Sequence, residues 1–273
     1  MNLNVQVRTN AMKNSKKVGK RVILMANDWP GVEVAKYLLS QGDEIVRLYL
    51  HADNNRKYGP EIIEASKCKE SHIFDAENLT DPEHIKNLIE LAPDYIITVY
   101  WAYLLKKEVI ECASEGRVNF HPALLPINRG WYPHVFSIID GTPTGVTLHE
   151  IDEGADTGAI WAQREVPLSE YDTAFTIYNT LQRKIVELFK ETWPKIKVKK
   201  IQPVPQDHLE ANYHKKSEIE SLDKIDPESD IKVGDLIRLL KARSFGNKGF
   251  AYYERDGQRV YLNIRVSKTI SFE

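Results

Sequence analysis

The stretch from Asn119 to Gly158 begins with Asn119-Phe120-His121-Pro122 and ends with Asp152-Glu153-Gly154-Ala155-Asp156-Thr157-Gly158. Asn119 and His121 follow Arg117-Val118 at the end of a predicted strand. Side chains two residues apart on a strand point to the same face, so the amide and the imidazole share one side. A carboxylate returns from the glycine-flanked loop downstream. The stretch therefore predicts a strand that ends in a polar triad facing a substrate.

Strands and helices alternate in the residues that precede this stretch. The predicted strands cover residues 21–26, 45–50, 71–74 and 94–100, and helical patterns separate them near residues 32–39, 60–67 and 82–91. Such alternation predicts an α/β fold with a Rossmann-like, mostly parallel sheet covered on both faces. Sheets of this kind bind ligands at the carboxyl ends of their strands, which is where Asn119-Phe120-His121 is predicted to lie.

The rest of the chain divides into two predicted parts. An α/β domain of residues 21–202 is completed by a helix at 131–140, strands at 143–151 and 159–166, and a long helix at 172–193. Pro194 is predicted to end the last helix. Lys195–Lys200 is predicted to be a basic, exposed exit from the domain. Residues 203–273 are predicted to form a linker up to residue 232, a helix at 233–242 and a β-hairpin. Asp256-Gly257, between two aromatic and branched runs, is a strong hairpin signal.

Charge and composition limit the class of protein. The chain has 273 residues and a net charge of −2, but residues 1–21 carry +6, which leaves −8 for the remainder. Residues 1–20 are predicted to be a disordered basic leader, and an acidic body argues against a nucleic-acid partner. Two distant cysteines predict a reducing, cytoplasmic location without a cysteine zinc site, and no apolar run is long enough for a membrane helix.

The triad residues suit acyl-type transfer without a covalent enzyme intermediate. His121 can accept a proton near neutral pH, and Asn119 can donate an N–H to a developing oxyanion. Asp156 can orient the imidazole and favour its protonated form, with Asp152 and Glu153 as rivals for that role. On these residues alone, an ordinary Asx-type turn before a strand explains Asp156 equally well.

Other chemistry finds little support in the motifs. The first strand–helix turn lacks GxGxxG, and neither a P-loop nor GxSxG is present. No histidine spacing supports a metal site, even for His121 with His149. His134 is a weaker candidate for substrate contact. The remaining histidines are predicted to be surface residues: His51, His72, His84, His208 and His214.

Together, Asn119-x-His121-Pro122, the Leu-Leu-Pro…Arg-Gly run, Gly145-Val146-Thr147 and Asp152-x-Gly154-x-Asp156-Thr157-Gly158 resemble the folate-dependent formyltransferases over residues 21–193. The resemblance implies N10-formyltetrahydrofolate as the formyl donor, a primary amine as the acceptor and no metal. It also implies a catalytic trio of Asn119, His121 and Asp156. By the same resemblance, the pterin contacts two loops, at Trp101, Tyr103, Leu104, Ile151, Asp152 and Gly154.

Within that family, Leu125-Pro126-Ile127-Asn128-Arg129-Gly130 and the short C-terminal region look most like the sugar N-formyltransferases. This implies as acceptor a nucleotide-linked amino-dideoxysugar, with dTDP favoured over GDP, destined for a surface polysaccharide such as the O-antigen of lipopolysaccharide. Asn128 and Arg129 are then expected to contact substrate, although Arg129 could instead pair within a structural turn. Asn27 and Asp28 are candidates by position, and a helix cap explains them equally well.

Alternative functions are a methionyl-tRNA formyltransferase, a formyltetrahydrofolate hydrolase and a silent binding module. Residues 204–273 contain 12 basic and 12 acidic side chains, which disfavours a tRNA-binding surface. An intact trio disfavours a silent module. The apolar side chains of the hairpin exceed what a lone appendage should expose, so they predict a homodimer, with burial against the main domain as the competing interpretation.

Overall fold

A computed structural model describes residues 19–268 of the chain. The predicted leader therefore lies outside the described residues, apart from its last two. Lys20 does not belong to a leader, because its Nζ lies 2.6 Å from a carboxylate oxygen of Glu115 and its backbone N–H donates to Asp43 at 2.9 Å. These contacts fix the chain at the start of the first strand.

A seven-stranded sheet forms the centre of the α/β half. Its strands are β1 (Arg21–Ala26), β2 (Glu44–Leu50), β3 (Ile73–Asp75), β4 (Tyr95–Val99), β5 (Gly116–His121), β7 (Gly145–His149) and β8 (Ile160–Glu165), and β6 (Arg129–Gly130) lies outside this sheet. The helices between them are α1 (Asp28–Ser40), α2 (Gly59–Ser66), α3 (Pro82–Glu90), α4 (Lys107–Glu111), α5 (Pro133–Asp140) and α6 (Ala174–Lys197).

The strand order is β3-β2-β1-β4-β5-β7-β8. All pairs from β3 to β5 are parallel, whereas β5 with β7 and β7 with β8 are antiparallel. The predicted α/β class with a mostly parallel, Rossmann-like sheet is confirmed. The antiparallel neighbour of β5 matters for the site, because it places Asn119 directly opposite His149.

The two faces of the sheet bury separate cores. Along β1, Val22 and Leu24 belong to one apolar cluster, while Ile23 and Met25 belong to the other. Side chains alternate between faces along a strand, and both faces of this sheet are covered by helices. This explains why β1 is a continuous apolar run in the sequence.

Helix α6 continues through Pro194, contrary to the prediction that Pro194 ends it. A proline has no N–H for the carbonyl four residues earlier, which here is the carbonyl of Lys190. The Tyr37 hydroxyl from α1 donates to that carbonyl at 2.8 Å. An outside donor therefore replaces the missing helical hydrogen bond.

The expected basic exit after Pro194 is also partly wrong. Ile196 is buried, and the Lys197 ammonium lies 2.9 Å from a carboxylate oxygen of Asp43, whose side chain is fully buried. The indole N–H of Trp193 donates to the same carboxylate at 2.7 Å. Because a buried carboxylate needs charged or N–H partners, Asp43 draws the end of α6 onto the domain.

The C-terminal region contains more structure than a linker and a hairpin. Its elements are β9 (Tyr213–His214), α7 (Glu218–Asp223), α8 (Val233–Ala242), β10 (Ser244–Phe245), β11 (Lys248–Gly249), β12 (Tyr252–Arg255) and β13 (Gln258–Tyr261). Strand β9 pairs with β6 of the α/β half, which corrects the expectation of a linker with little core. The β12–β13 hairpin is present, with positive φ at both Asp256 and Gly257.

Two kinds of feature are absent from residues 19–268. No helix there is both long enough and apolar enough to span a bilayer. No cluster of three or more His, Cys, Asp or Glu side chains in that part of the chain has an arrangement that could hold a metal ion. Cys68 and Cys112 are both free thiols.

The Tyr37 hydroxyl should contribute measurably to stability. Tyr37→Phe leaves the Lys190 carbonyl without a donor, so we expect the free energy of unfolding in urea to fall by about 1 kcal/mol. Tyr171→Phe, at an exposed position, is the control and should change little. Pro194→Ala restores a backbone N–H, so in that background the cost of Tyr37→Phe should shrink. An equal cost in both backgrounds would contradict this explanation.

Candidate active site

A cavity opens at the carboxyl ends of the central strands. Its volume is about 860 Å³, and Asn27, Tyr100 and Pro122, which directly follow β1, β4 and β5, lie in its wall. The position agrees with the general rule for open parallel sheets. Asn119, His121 and Asp156 line the same cavity, so the structure brings the three predicted triad residues together.

Strand pairing fixes the orientation of the Asn119 amide. Thr98 on β4 donates its hydroxyl to Asn119 Oδ1 at 2.6 Å, so the amide Nδ2 points the other way. Nδ2 donates to His149 Nε2 at 2.9 Å. The other ring nitrogen of His149 lies 2.6 Å from the Glu150 carbonyl, an arrangement that requires the proton on Nδ1 and leaves Nε2 as an acceptor.

The carboxylate of Asp156 occupies the centre of the site. Its Oδ1 lies 3.4 Å from His121 Nδ1 and 3.4 Å from His149 Nε2, and accepts from Asn119 Nδ2 at 3.3 Å. Its Oδ2 accepts the N–H of Gly130 at 2.9 Å. Burial alone would raise the pKa of Asp156, but the two imidazoles and the Gly130 N–H outweigh it and hold that pKa below its usual range.

The sequence left three acidic residues as rivals for the carboxylate role. Asp152 accepts from the Gly154 N–H and the Thr157 hydroxyl, so it shapes the exposed turn. The Glu153 side chain is 71% exposed and lies near Lys107. Only Asp156 of the three has an ion-pair or hydrogen-bond contact with the histidines.

His121 faces an acceptor with each ring nitrogen. Its Nε2 donates to the Asn128 carbonyl at 2.8 Å, and its Nδ1 faces Asp156. Burial lowers the pKa of His121, and the charge of Asp156 opposes this without reversing it. The ring is therefore neutral near pH 7 and can take up a proton, after which both nitrogens have an acceptor.

These groups suit attack of an amine on a carbonyl carbon. Such attack develops negative charge on the carbonyl oxygen and requires the nitrogen to lose a proton. Asn119 offers an amide N–H to the carbonyl oxygen on which negative charge develops. Its 3.3 Å hydrogen bond to Asp156 is the longer of the two that Nδ2 makes, so it is the one that a substrate oxygen would replace. His121 offers a buried base for the proton that the nitrogen loses.

All six residues predicted to contact the pterin line the cavity: Trp101, Tyr103, Leu104, Ile151, Asp152 and Gly154. The side chain of Leu104 is 71% exposed, and the buried indole N–H of Trp101 has no hydrogen-bond partner among the described residues. An unpaired buried donor beside an exposed apolar side chain fits a planar ligand with polar edges. Contact with a pterin stays a prediction for each of the six.

The prediction that His51 is a surface residue is wrong. Its side chain is buried, its ring centroid lies 5.0 Å from that of Trp101 and 5.1 Å from that of Tyr103, and its Nε2 accepts the Ala102 N–H at 3.3 Å. Burial lowers the pKa of His51 to about 4, so the ring is neutral at physiological pH. His51 packs against the aromatic loop and also lines the cavity, which the polar residues around it in the sequence did not indicate.

Of the four predicted substrate contacts, only Asn27 lines the cavity. Asp28 is buried and accepts from the Tyr178 hydroxyl at 2.7 Å and from Lys57 at 3.3 Å. Tyr178 and Lys57 themselves line the cavity. Asp28 is thus placed to act through these two side chains rather than by direct contact.

Asn128 and Arg129 require a similar correction. Neither side chain lines the cavity, because both face the segment that follows α6. Arg129 donates to Gln206 Oε1 at 2.6 Å, and Asn128 contacts Asn212 at 3.2 Å. The role in a structural turn, weighed for Arg129 from the sequence, agrees with these bonds.

Several residues of the cavity wall cannot be recognised from the sequence alone. His149 belongs to the site because the antiparallel β5–β7 register places it opposite Asn119. Tyr178 lies on α6 between the buried residues Ile177 and Leu181, a setting typical of a core residue. Lys216, Arg243, Phe245 and Phe250 come from the C-terminal region, and no local signal places them at the cavity.

Comparison with known families agrees with this geometry. Residues 4–192 match the formyl transferase family. The chain belongs to this family. Residues 218–268 match the N-formyltransferase dimerization C-terminal domain. The protein is therefore a folate-dependent formyltransferase, and the family expected from the motifs around Asn119 and Asp156 is confirmed.

This formyltransferase is similar to several solved structures. A sugar N-formyltransferase from a Shewanella species has 25% sequence identity and a TM-score of 0.77, with 92% of this chain and 99% of that chain covered. A formyltransferase from Anoxybacillus kamchatkensis, in complex with UDP-4,6-dideoxy-4-formamido-L-AltNAc and tetrahydrofolate, has 28% identity and a TM-score of 0.56, with 74% and 88% covered. A 4-N formyltransferase from Francisella tularensis shares the fold, with 23% identity, a TM-score of 0.79, and 92% and 99% covered.

Neutralising the central carboxylate should abolish most of the formyl transfer. We expect Asp156→Asn to lower kcat by about 10²-fold or more. The reason is that His121 loses the negative charge that stabilises its protonated form. Steady-state turnover with saturating substrates measures this loss. Glu153→Gln, three residues earlier in the same loop, is the matched control and should retain wild-type turnover. Equal losses in the two variants would remove Asp156 from its central role.

Proposed function

We propose that this formyltransferase transfers the formyl group of N10-formyltetrahydrofolate to the amino group of a nucleotide-linked amino-dideoxysugar. A dTDP-linked sugar destined for a surface polysaccharide such as the O-antigen is the first candidate. The two neighbours at 25% and 28% identity support a sugar acceptor, since one is a sugar N-formyltransferase and the other holds a UDP-linked formamido sugar. A cytoplasmic location stays a prediction.

Each residue of the trio has one task in this proposal. The Asn119 amide donates to the formyl oxygen as negative charge develops there. His121 accepts the proton that the attacking amine loses. Asp156 stabilises the resulting imidazolium from a distance of 3.4 Å. His149 and Thr98 hold the amide of Asn119 in the required orientation.

The folate has a suitable place on one side of the trio. Trp101 and Tyr103 supply aromatic surface, and Leu104 supplies exposed apolar surface. The unpaired indole N–H of Trp101 is a donor for a polar edge of a bound ring. When bound, the folate supplies the activated formyl group, and the protein residues position it and manage the proton.

The composition of the other wall, where Tyr100 and Phe245 pack against a different core cluster from Trp101 and Ile151, is the observation that carries the acceptor assignment. The buried hydroxyl of Tyr100 and the Nδ1 atom of His134 have no hydrogen-bond partner among the described residues, and both residues line the cavity. Burial raises the pKa of Tyr100 and lowers that of His134 to about 3, so both groups are neutral at pH 7. Unpaired neutral polar groups suit the hydroxyls of a sugar.

Cations and aromatic rings extend this wall beyond the sugar. Lys57 lies 5.8 Å from the centroid of the Tyr178 ring, and Lys216 lies 5.2 Å from that of Trp131. Arg243 also lines the cavity, but its guanidinium is paired with Asp223. Lys57 is also paired, at 3.3 Å from Asp28, so Lys216 beside the Trp131 ring is the better candidate to contact a phosphate of a nucleotide-linked sugar.

The other functions weighed from the sequence fit this wall less well. Hydrolysis of the formyl donor needs only water as acceptor and has no use for a second wall of polar and aromatic groups. The methionyl-tRNA alternative needs a broad cationic surface, whereas the charges of residues 204–273 balance. Both alternatives remain outcomes of the assay below.

The acceptor assay should give formylated sugar and no formylated tRNA. The chain is incubated with N10-formyltetrahydrofolate and dTDP-, UDP- and GDP-linked amino sugars, and with methionyl-tRNA in parallel, and mass spectrometry identifies the products.

Lys216→Met should raise the KM for the nucleotide sugar about tenfold, as expected for loss of one phosphate contact. Lys215→Met is the matched control, because the neighbouring Lys215 does not line the cavity.

Formylation of methionyl-tRNA alone, or release of formate with every acceptor, would overturn the acceptor assignment. An unchanged KM in Lys216→Met with an active nucleotide sugar would remove the proposed phosphate contact only.

The C-terminal hairpin supports a homodimer. Val260 is 37% exposed and Tyr261 is 57% exposed in the single chain, within residues that match a dimerization domain. Phe250 lies before β12 and lines the cavity instead, so not every apolar residue near the hairpin serves association. We propose that the exposed strand β13 pairs with a second copy.

Light scattering should report twice the 31.4 kDa mass of one chain. Val260→Asp combined with Tyr261→Asp should shift the mass to that of the monomer, because a charge on either face of β13 opposes the burial of that strand. Arg255→Ala, at an exposed position in the same hairpin, is the control. A monomeric wild-type protein would rule out the dimer.

A further inference from the structure

One buried residue stands out in the segment that was predicted to be a linker. Gln206 is buried, whereas the residues on either side of it, Pro205 and Asp207, are exposed. It follows Val204, whose backbone exchanges two hydrogen bonds with Ile160 on β8. The segment therefore runs back along the α/β domain before it reaches β9.

The side-chain amide of Gln206 bonds to two separate loops. Its Nε2 donates to the Asp156 carbonyl at 2.9 Å and to the Gly158 carbonyl at 2.7 Å. Its Oε1 accepts from Arg129 Nε at 3.2 Å and from a terminal guanidinium nitrogen of Arg129 at 2.6 Å. Both donors and the acceptor of this amide are thus used, which is what a buried amide requires.

The loop that carries Asp156 needs such an anchor. Asp156 has a φ of 56°, in the left-handed region, and residues Asp152, Glu153 and Gly154 before it are exposed. The Gln206 amide holds the backbone at Asp156 and two residues beyond it. It also holds Arg129, which precedes the glycine whose N–H bonds the Asp156 carboxylate.

The same segment secures the second acceptor of His121. The Asn128 carbonyl accepts from His121 Nε2, and Asn212 accepts the Asn128 N–H through its side chain while its carbonyl accepts the Arg129 N–H at 3.2 Å. Both groups that face the ring nitrogens of His121 are therefore tied to residues 206–212.

We propose that Gln206 is a positioning residue for catalysis: by fixing the backbone of Asp156 against Arg129, it sets the distance between the Asp156 carboxylate and His121. The proposal rests on the role given to Asp156 in formyl transfer. A segment outside the family motif, residues 206–212, would thus determine the geometry of the motif residues.

Kinetics of two near-isosteric variants test the proposal. Gln206→Met removes all the bonds of the amide, and Gln206→Glu keeps the acceptor for Arg129 but places an oxygen against the two carbonyls. We expect kcat to fall about 10- to 100-fold in both, as for a small misplacement of a catalytic group, with the KM of each substrate within about twofold, since no substrate contact is lost. Gln202→Ala, an exposed glutamine in the same segment, is the control and should match the wild type.

A double-mutant cycle separates positioning from general stabilisation. In the Asp156→Asn background, Gln206→Met should cause little further loss of kcat, because the group it positions has already lost its charge. Thermal unfolding of each variant monitors the fold. Independent, multiplicative losses would overturn the proposal, and so would failure of both Gln206 variants to fold, which would assign Gln206 a purely structural role.

A substrate-free measurement keeps this inference separate from the proposed acceptor. The Asp156 charge and the Asn128 carbonyl favour the protonated form of His121, whereas the charges of His149 and Arg129 oppose it, so Asp156 is the one charged group that favours protonation. Loosening Asp156 should therefore shift the NMR titration of the His121 ring to lower pH in Gln206→Met. If the wild type formylates no acceptor, the proposed function fails and this titration alone decides the inference. An unchanged titration would overturn it.

Discussion

The buried carboxylate of Asp156 imposes the main constraint on this protein. A carboxylate removed from water needs donors or positive charge. Here the Asn119 amide and the Gly130 N–H donate to its two oxygens, and the His121 and His149 imidazoles each lie 3.4 Å from Oδ1. They come from three parts of the chain: β5, which carries Asn119 and His121, β6, which carries Gly130, and β7, which carries His149. The fold around the cavity can be understood as the arrangement that brings those parts together.

Gly130 lies where the backbones of two chain segments pass very close to each other. Its φ is +85°, and a Cβ at this position would lie 2.5 Å from the His214 carbonyl oxygen. The N–H of Gly130 reaches Asp156 only because β6 and β9 pass this close to each other. The C-terminal segment and the Asp156 carboxylate are therefore coupled through a position that admits no side chain.

Sequence patterns predicted the parts of the site that depend on short-range geometry. Asn119 and His121 share a strand face because of the period of two, and the hairpin turn at Asp256-Gly257 is a local signal as well. The sheet followed from the alternation of apolar strands with helices. For these elements the relevant neighbours lie within a few residues.

The remaining errors concern residues whose partners are distant in the chain. His51 is buried by the loop after β4, and Arg129 is paired with a residue 77 positions later. Gln206 has polar, proline-rich surroundings that look like a linker, because hydrogen bonds to carbonyls leave no apolar periodicity. Pro194 would end an isolated helix, and only a tyrosine from α1 makes its position tolerable. Such contacts become visible only when the sheet has brought the segments together.

The two walls of the cavity are encoded by different stretches of the chain. The wall we assign to the folate comes from loops near residues 101–105 and 151–155, whereas the other wall draws on Lys216, Arg243 and Phe245 from the C-terminal region. Under the proposed assignment, substitutions in that region would alter the choice of acceptor and leave the donor side unchanged. Because the exposed hairpin lies in the same region, a lineage that changes its acceptor also modifies the neighbourhood of its subunit contact. Changes of acceptor and changes of subunit contact would then arise in the same region of the sequence.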